Sequence, residues 1–165
     1  MNKQIVLVAH NIRSTHNIGS LLRSCDGLGI KKVYLTGYSP YPASKNETRL
    51  PHIARQLDSQ IHKTALGAEN TVAWEYIENP LQAVSLLKSE GYQVAVLEQS
   101  KNSRKLHKFK TPQKIALIIG EEVNGVSKEL INISDITLEI PMFGEKESFN
   151  VSVAAAIALY HFRFS

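Results

Sequence analysis

The amino-acid sequence predicts an α/β protein whose parallel sheet is covered by helices on both faces. Short continuous runs of Val, Ile and Leu alternate along the chain with segments whose apolar residues recur at helical spacing. Glycines and asparagines follow three of these runs, at the end of the sheet where such folds bind ligands. A length of 165 residues, with 43% apolar and 21% charged residues, fits a single globular domain over 1–165.

The first third of the chain predicts a strand, a helix, a second strand and a loop, in that order. The buried strand Gln4–His10 comes first, and Gly29 stands where the following helix is expected to stop. That helix is predicted by apolar residues that share one face, namely Ile18, Leu21, Leu22, Cys25 and Leu28. Lys32–Thr36 predicts the second strand, and three prolines make 37–51 a predicted loop.

The rest of the chain continues this alternation. A short strand is predicted by alternating apolar residues, Val72, Trp74 and Tyr76. Asn79 and Pro80 are suited to cap a helix and to begin it, and Gly91 is suited to end it. Further strands are predicted over 93–98, 115–119 and 136–140, and a last helix over 150–162.

The first of the three loops leads from strand Gln4–His10 into the first helix. Asn17 lies at the helix start, where its side chain either caps the helix or takes part in a site. Arg23 lies off the apolar face and is either a solvated charge or a partner for an anion. Asn17 and Arg23 are six residues apart, so we expect them on nearly the same side of the helix start. A helix start flanked by an arginine fork would be a site for a phosphate or a developing oxyanion.

The second loop, 120–127, follows the most apolar strand of the chain. Gly120 allows a ligand to approach the backbone, and Ser127 is expected to cap a short helix. The loop lacks the ending of a Walker loop and the glycine spacing of a dinucleotide turn. Its two carboxylates, Glu121 and Glu122, favour a cationic or hydroxyl-rich ligand. The third loop, 141–150, leads into a helix rich in small residues.

Together, three blocks of sequence resemble the signature motifs of the SpoU family of RNA methyltransferases. Their order and spacing match over essentially the whole chain. The blocks are Asn11-x-Arg13 with Asn17-x-Gly19 and Arg23 through Gly29, then 118–127, then 140–142 with 148–155. Two residues depart from the family pattern, since Phe149 stands where leucine is commoner and Glu121 where a small residue is usual.

The resemblance implies the SPOUT fold, in which a deep trefoil knot in the C-terminal part of the sheet forms a pocket for S-adenosylmethionine. It also implies a homodimer whose first and last helices lie near the interface. The implied cofactor contacts are Leu97 or its neighbour, Gly120, Ile140, Met142 and Ser148. The implied catalytic set is Asn17, Arg23, Glu122, Ser148 and Asn150.

The implied reaction is methyl transfer to a ribose 2′-hydroxyl, which is a poor nucleophile and must lose its proton during attack. We expect Arg23 to hold a phosphate and the developing alkoxide, and Asn17 with Asn150 to orient groups through hydrogen bonds. Ser148 is placed beside the cofactor. Glu122 is expected to hold Arg23 or its own loop rather than to act as a base.

The net charge of +4 permits a polyanionic partner such as RNA. The run 101–110 holds five Lys/Arg and no acid, so it predicts either a solvated surface loop or contacts with phosphates. Candidate RNA contacts are Arg13, Lys101, Arg104, Lys105 and Lys108. We expect tRNA rather than rRNA, because short family members resemble enzymes that methylate the anticodon wobble ribose.

Other features of the chain limit its location and its chemistry. A lone cysteine, Cys25, excludes an internal disulfide and favours the cytoplasm. No signal peptide, membrane span or metal site is predicted. Two rival functions are an inactive RNA-binding module and a nucleotide-dependent oxidoreductase. The intact set Asn17, Arg23, Glu122 and Asn150 argues against the first, and the missing dinucleotide fingerprint argues against the second.

Overall fold

A computed structural model describes residues 3–165, along which strands and helices alternate. The strands are β1 Gln4–His10, β2 Lys32–Thr36, β3 Trp74–Ile77, β4 Gln93–Leu97, β5 Arg104–Lys105, β6 Lys114–Ile119 and β7 Ile136–Glu139. The helices are α1 Thr15–Gly27, α2 Pro51–Ala65, α3 Ala68–Thr71, α4 Pro80–Ser89, α5 Lys128–Ile133 and α6 Val151–Phe164. Over these described residues, no helix has both the length and the apolar character needed to cross a membrane.

The strands form one parallel sheet in the order β3-β2-β1-β6-β4-β7-β5. β1 and β6 pair in its interior, from Gln4 opposite Lys114 to Ala9 opposite Ile119. Both strands are buried along most of their length because helices cover both faces of the sheet. The predicted α/β class with a parallel sheet is confirmed.

Successive residues of β1 point to opposite faces and therefore belong to two hydrophobic cores. Ile5 and Leu7 pack in a core with residues of α1 and α6, whereas Val6 and Val8 pack with residues of α4. The helical face predicted for α1 is buried in the first core, through Ile18, Leu21, Leu22 and Cys25. The sheet is thus fixed on both sides, and its loops are held at one edge.

Helix α2, of 15 residues, was missed from the sequence. It follows the predicted loop 37–51 directly and begins at Pro51, a residue favoured at the first helical position. Three of its residues are buried, Ala54, Ile61 and Ala65, so its apolar stripe is narrow. Their separations of seven and four residues are the helical signal that could have revealed it.

The packing of α1 against α2 depends on Gly19, where a Cβ would lie 2.3 Å from the Ile61 carbonyl oxygen. We expect Gly19→Ala to lower the free energy of unfolding by about 1–3 kcal/mol, because the backbone of α2 must move. Gly27→Ala is the matched control, since a Cβ at this end of the same helix meets nothing within 4 Å. It should be neutral or should stabilise by up to about 1 kcal/mol. Urea denaturation measures both, and equal effects would contradict the packing argument.

Candidate active site

A cavity of about 500 Å³ opens where β4, β6 and β7 reach the carboxyl edge of the sheet. Open α/β sheets bind ligands at this edge, and the volume is in the range of small-molecule sites. Its lining includes four of the residues expected to contact a cofactor, namely Leu97, Gly120, Ile140 and Ser148. Met142, the fifth expected contact, is not part of the cavity wall, because the chain leaves the wall between Ile140 and Ser148.

The loop after β6 forms one wall of this cavity as a tight turn. Glu121 and Gly125 pair across the turn, and the Gly125 N–H donates to the Glu121 carbonyl oxygen at 3.0 Å. Gly125 has a φ of 68°, in the left-handed region that favours glycine. A Cβ at Gly120 would lie 2.2 Å from the Gly125 carbonyl oxygen. The shape of the turn therefore requires glycine at both positions. Ser127 caps α5 beyond the turn, as expected.

Glu98, directly after β4, holds this turn in place and was missed from the sequence. Its Oε2 accepts from the Val126 N–H at 2.9 Å, and its Oε1 accepts from the Gln99 N–H at 3.0 Å. A charged residue at the end of a predicted buried strand is the signal that could have found it. The cavity wall carries four carboxylates, those of Glu98, Glu121, Glu122 and Glu139. Such a wall is electrostatically complementary to a cationic ligand.

Three of the predicted catalytic residues, one from each motif, are joined by hydrogen bonds at the edge of the cavity. Asn17 Nδ2 donates to Glu122 Oε1 at 2.8 Å, and Asn150 Nδ2 donates to Asn17 Oδ1 at 3.2 Å. Glu122 and Asn150 also line the cavity. We call this group the Asn17–Glu122–Asn150 network. The fold therefore brings together polar side chains that are 105 and 133 residues apart along the chain.

The cap of α1 is Ser14, and the capping alternative for Asn17 is wrong. Ser14 Oγ accepts from the Asn17 N–H at 3.2 Å, which places Asn17 inside the first turn of the helix. Its side-chain amide is consequently available to bridge the other two members of the network.

Asn150 is held in one orientation by the helix that follows it. Its Oδ1 caps α6 by accepting from the Ser152 N–H at 2.9 Å and from the Ser152 hydroxyl at 2.6 Å. With the oxygen directed to the helix, the amide nitrogen of Asn150 is directed to Asn17. Ser148, two residues earlier, is exposed and lines the cavity.

Arg23 lies apart from this network, contrary to the expectation that it shares a side of α1 with Asn17. Six residues along a helix change direction by about 120° and advance about 9 Å, which separates the two side chains. Arg23 is exposed and makes no hydrogen bond or ion pair within residues 3–165. Glu122 therefore holds Asn17 and not Arg23.

Glu121 connects the turn after β6 to two loops outside the cavity. Its Oε2 accepts from the Tyr38 hydroxyl at 2.9 Å and lies 3.4 Å from Arg13 Nη2, while its Oε1 accepts from Asn124 Nδ2 at 2.7 Å. Hydrogen bonds from Asn124 and then Tyr38 hold the pKa of Glu121 below its ordinary value. Burial lowers the pKa of the neighbouring His10, and the charge of Glu121 partly opposes this effect. Glu121 is thus a carboxylate that ties three loops together.

The basic run 101–110 is partly built into the sheet. Arg104–Lys105 form β5, which pairs with β7, and both Leu106 and Phe109 are buried. The expectation of a solvated loop is therefore wrong for the backbone of this run, because the pairing of β5 and the two buried side chains hold that backbone against the protein. The basic side chains of the run are nevertheless exposed, namely the four candidate RNA contacts Lys101, Arg104, Lys105 and Lys108, together with Lys110. Arg13, the fifth candidate RNA contact, is exposed beside Glu121.

Comparison with known proteins places the sequence in a family of RNA-modifying enzymes. Residues 4–160 match the model of the SpoU rRNA Methylase family. The chain is 30% identical over 158 residues to a tRNA (guanosine(18)-2′-O)-methyltransferase of Aquifex aeolicus, over 96% of this chain and 68% of that protein. It is 28% identical to a putative TrmH family tRNA/rRNA methyltransferase of Staphylococcus aureus, over 94% of this chain and 56% of that protein. The chain therefore spans just over half of the staphylococcal relative.

Solved structures share the fold. The A. aeolicus TrmH/SpoU tRNA modifying enzyme superposes with a TM-score of 0.79 at 27% identity, over 98% of this chain and 76% of that one. A chain described for the 2-OH methylation of C/U34 on tRNA superposes with a TM-score of 0.78 at 20% identity, over 97% of this chain and 94% of that one. The latter is also similar in length to the present protein.

Proposed function

Because the chain belongs to the SpoU rRNA Methylase family, we propose that it transfers a methyl group from S-adenosylmethionine to a ribose 2′-hydroxyl of RNA. The Asn17–Glu122–Asn150 network carries this proposal, since it lies at the edge of a cavity bounded by the loops after β6 and β7. S-adenosylmethionine, when bound, supplies an electrophilic methyl group on a positively charged sulfur. Four carboxylates on the cavity wall suit that charge. Gly120 lets the Gly125 backbone pack against it, which closes the turn that forms this wall, so the expectation that Gly120 leaves room for a ligand is not met on that side of the residue. We also propose that this cavity is the pocket of a knotted C-terminal segment.

The network is suited to hold and align a ribose hydroxyl. Reaction requires the attacking oxygen about 3–3.5 Å from the methyl carbon and in line with the bond that breaks. The amides of Asn17 and Asn150 are each fixed in one orientation, and they place the ribose through hydrogen bonds. Glu122 is a positioning residue, because its Oε1 is occupied by Asn17. Ser148 lines the cavity and would lie beside bound S-adenosylmethionine. Arg23, which is apart from the network in its own chain, would reach the developing alkoxide from a second copy of the protein.

Cofactor binding is tested by a substitution that displaces the turn after β6. Wild-type protein should bind S-adenosylhomocysteine with micromolar affinity in titration calorimetry and should not bind NAD. Gly120→Ala should weaken this affinity about tenfold or more, because the added Cβ would meet the Gly125 carbonyl at 2.2 Å and displace the turn. Gly144→Ala is the matched control, since its Cβ meets nothing within 4 Å. Equal affinities of the two variants for S-adenosylhomocysteine would show that the turn is not part of the cofactor site.

We propose that the RNA substrate is a tRNA. Two relatives of this chain, from A. aeolicus and Borreliella burgdorferi, are named for 2′-O-methylation of guanosine 18 in tRNA. A structural neighbour of similar length is described for the 2-OH methylation of C/U34 on tRNA. Mass spectrometry of tRNA and rRNA from a strain lacking the gene should find one ribose methyl missing from tRNA. A loss confined to rRNA would contradict the proposal.

An RNA substrate and the free buried Cys25 also fit a cytoplasmic location.

We propose that the exposed cations after β4 contact RNA phosphates. Substituting Lys105 and Lys108 by serine should flatten the salt dependence of tRNA affinity by about two contacts' worth, while affinity for S-adenosylhomocysteine stays the same. The control is serine at Lys31 and Lys114, which lie at the opposite, amino edge of the sheet. An unchanged salt slope for the first pair would leave these side chains as ordinary surface.

An exposed apolar stripe along α6 supports a homodimer. Its residues recur at helical spacing and have 38–68% of their surface exposed; they are Val153, Ile157, Tyr160 and Phe164. We propose that two copies associate through this stripe, with α1 alongside, and that Arg23 of each copy serves the site of the other. Light scattering should give twice the mass of the chain, and a monomer at working concentration would contradict this assembly.

A further inference from the structure

A second groove, of about 520 Å³, lies beside the cofactor cavity. It is lined by residues from the loops that follow β1 and β2 and from α2, among them Arg13, Tyr38, Tyr41 and Gln60. Glu121 lines the cofactor cavity, and its Oε2 contacts both the Tyr38 hydroxyl and the Arg13 guanidinium of the groove. The two spaces are therefore one carboxylate apart.

The groove offers one aromatic ring that is free to stack. Tyr41 is already occupied, since its ring lies 4.2 Å from that of Tyr76 and 3.6 Å from the Arg49 guanidinium. Tyr38, in contrast, is 53% exposed, and its hydroxyl is fixed by Glu121 at 2.9 Å. Its ring is thus both accessible and held in place, which suits stacking with a flat ligand.

The groove also offers one available cation. Arg49 is engaged with the Glu47 carboxylate and with the carbonyl oxygens of Tyr41 and Pro42. The side chain of Arg13 is 65% exposed, and it forms a 3.4 Å ion pair with Glu121, whose side chain is 15% exposed. Most of the Arg13 guanidinium therefore remains open to solvent, where an incoming phosphate can share it. Half-buried Gln60 adds an amide that can donate and accept hydrogen bonds.

We propose that this groove binds the nucleotide adjacent to the one that is methylated, with its base stacked on Tyr38 and its phosphate beside Arg13. The inference rests on the proposed methylation of RNA. Sequence-specific recognition of RNA usually takes place in unpaired loops and ends. In such a stretch, the neighbour of the methylated nucleotide has a base that can stack on an aromatic side chain of the protein. Glu121 is the positioning residue that orients Tyr38 between the two spaces. The ring accepts any base, so it contributes affinity rather than a strict sequence preference.

The test uses fluorescein-labelled tRNA from a strain lacking the gene, with affinity measured by fluorescence anisotropy at fixed salt. Tyr38→Ala should weaken tRNA binding about 5- to 150-fold, the range expected for loss of one stacked base. Tyr38→Leu, which fills the space without an aromatic face, should be similarly weak. Tyr38→Phe keeps the ring and should recover binding to within about twofold of wild type. Affinity for S-adenosylhomocysteine should be the same in all four proteins, which reports an intact fold.

Two results would overturn the proposal that the groove binds a nucleotide. Unchanged tRNA affinity in Tyr38→Ala would show that no base stacks there. A loss in Tyr38→Phe as large as that in Tyr38→Ala would assign the effect to the Glu121 hydrogen bond. Methyl transfer measured on the same tRNA separates this inference from the proposed function. If wild-type protein methylates the tRNA and Tyr38→Ala does not change tRNA affinity, only the proposed nucleotide-binding groove is rejected. If the tRNA affinities change as expected but no methyl group is transferred, only the proposed reaction is rejected.

Discussion

Arg23→Lys is expected to lower single-turnover methyl transfer about 100-fold or more at every pH, while cofactor affinity stays normal. Lysine keeps the positive charge but loses the planar fork that binds an oxyanion or a phosphate at two points. Rates measured from about pH 6.5 to 10 test this, because an alkylammonium becomes neutral within reach of that range and a guanidinium does not. If the residue at this position were the general base, the lysine variant would regain activity as pH rises. Such a recovery would overturn the electrostatic role.

The separation of Arg23 from the Asn17–Glu122–Asn150 network leads to a complementation experiment. If Arg23 acts across the dimer, mixing inactive Arg23→Lys with inactive Asn150→Ala forms dimers with one intact site. That site has Asn150 from one chain and Arg23 from the other, so activity should return on mixing. If Arg23 acts within its own chain, every site of the mixture carries a defect and no activity returns.

Asn17→Asp is the second substitution for which we expect a large effect, about 100-fold in turnover. The change is nearly isosteric, but it replaces the amide nitrogen that donates to Glu122 at 2.8 Å by a carboxylate oxygen. Two carboxylates then face each other, and the network must open. Stability should not fall, because Ser14 remains the helix cap and a negative charge in the first turn of a helix is favourable.

Asn132→Asp is the control for this charge change, since Asn132 is exposed on α5 and takes no part in the hydrogen bonds of the network. It should retain turnover to within about twofold, as expected of a surface substitution. Full activity in Asn17→Asp would show that the network does not contribute to methyl transfer.

Much of the fold follows from local patterns in the sequence. β1 and β2 have the predicted bounds because they are continuous apolar runs, and α1 was predicted from its single apolar face. α2 was missed because three buried residues among 15 give only a weak helical pattern. β5 was missed because two basic residues join the sheet only through pairing with β7, a contact that no local pattern encodes.

The site was predictable in its members but not in its arrangement. Asn17, Glu122 and Asn150 were identified through the family resemblance, and their hydrogen bonds to one another depend on the topology of the sheet. The expectation for Arg23 failed because six residues do not return to the same side of a helix. Glu98 was missed because its contact with the turn, through the Val126 N–H, joins residues that are 28 apart along the chain.

The proposed methylation of ribose in RNA can be measured directly. Purified protein is incubated with S-adenosylmethionine carrying a labelled methyl group and with tRNA from a strain lacking the gene, and the RNA is then digested to nucleosides for mass spectrometry. We expect one labelled nucleoside whose extra mass lies on the ribose, formed by wild type and strongly reduced in Asn17→Asp and Arg23→Lys. A label on a base, or no label in protein that binds both S-adenosylhomocysteine and tRNA, would contradict it.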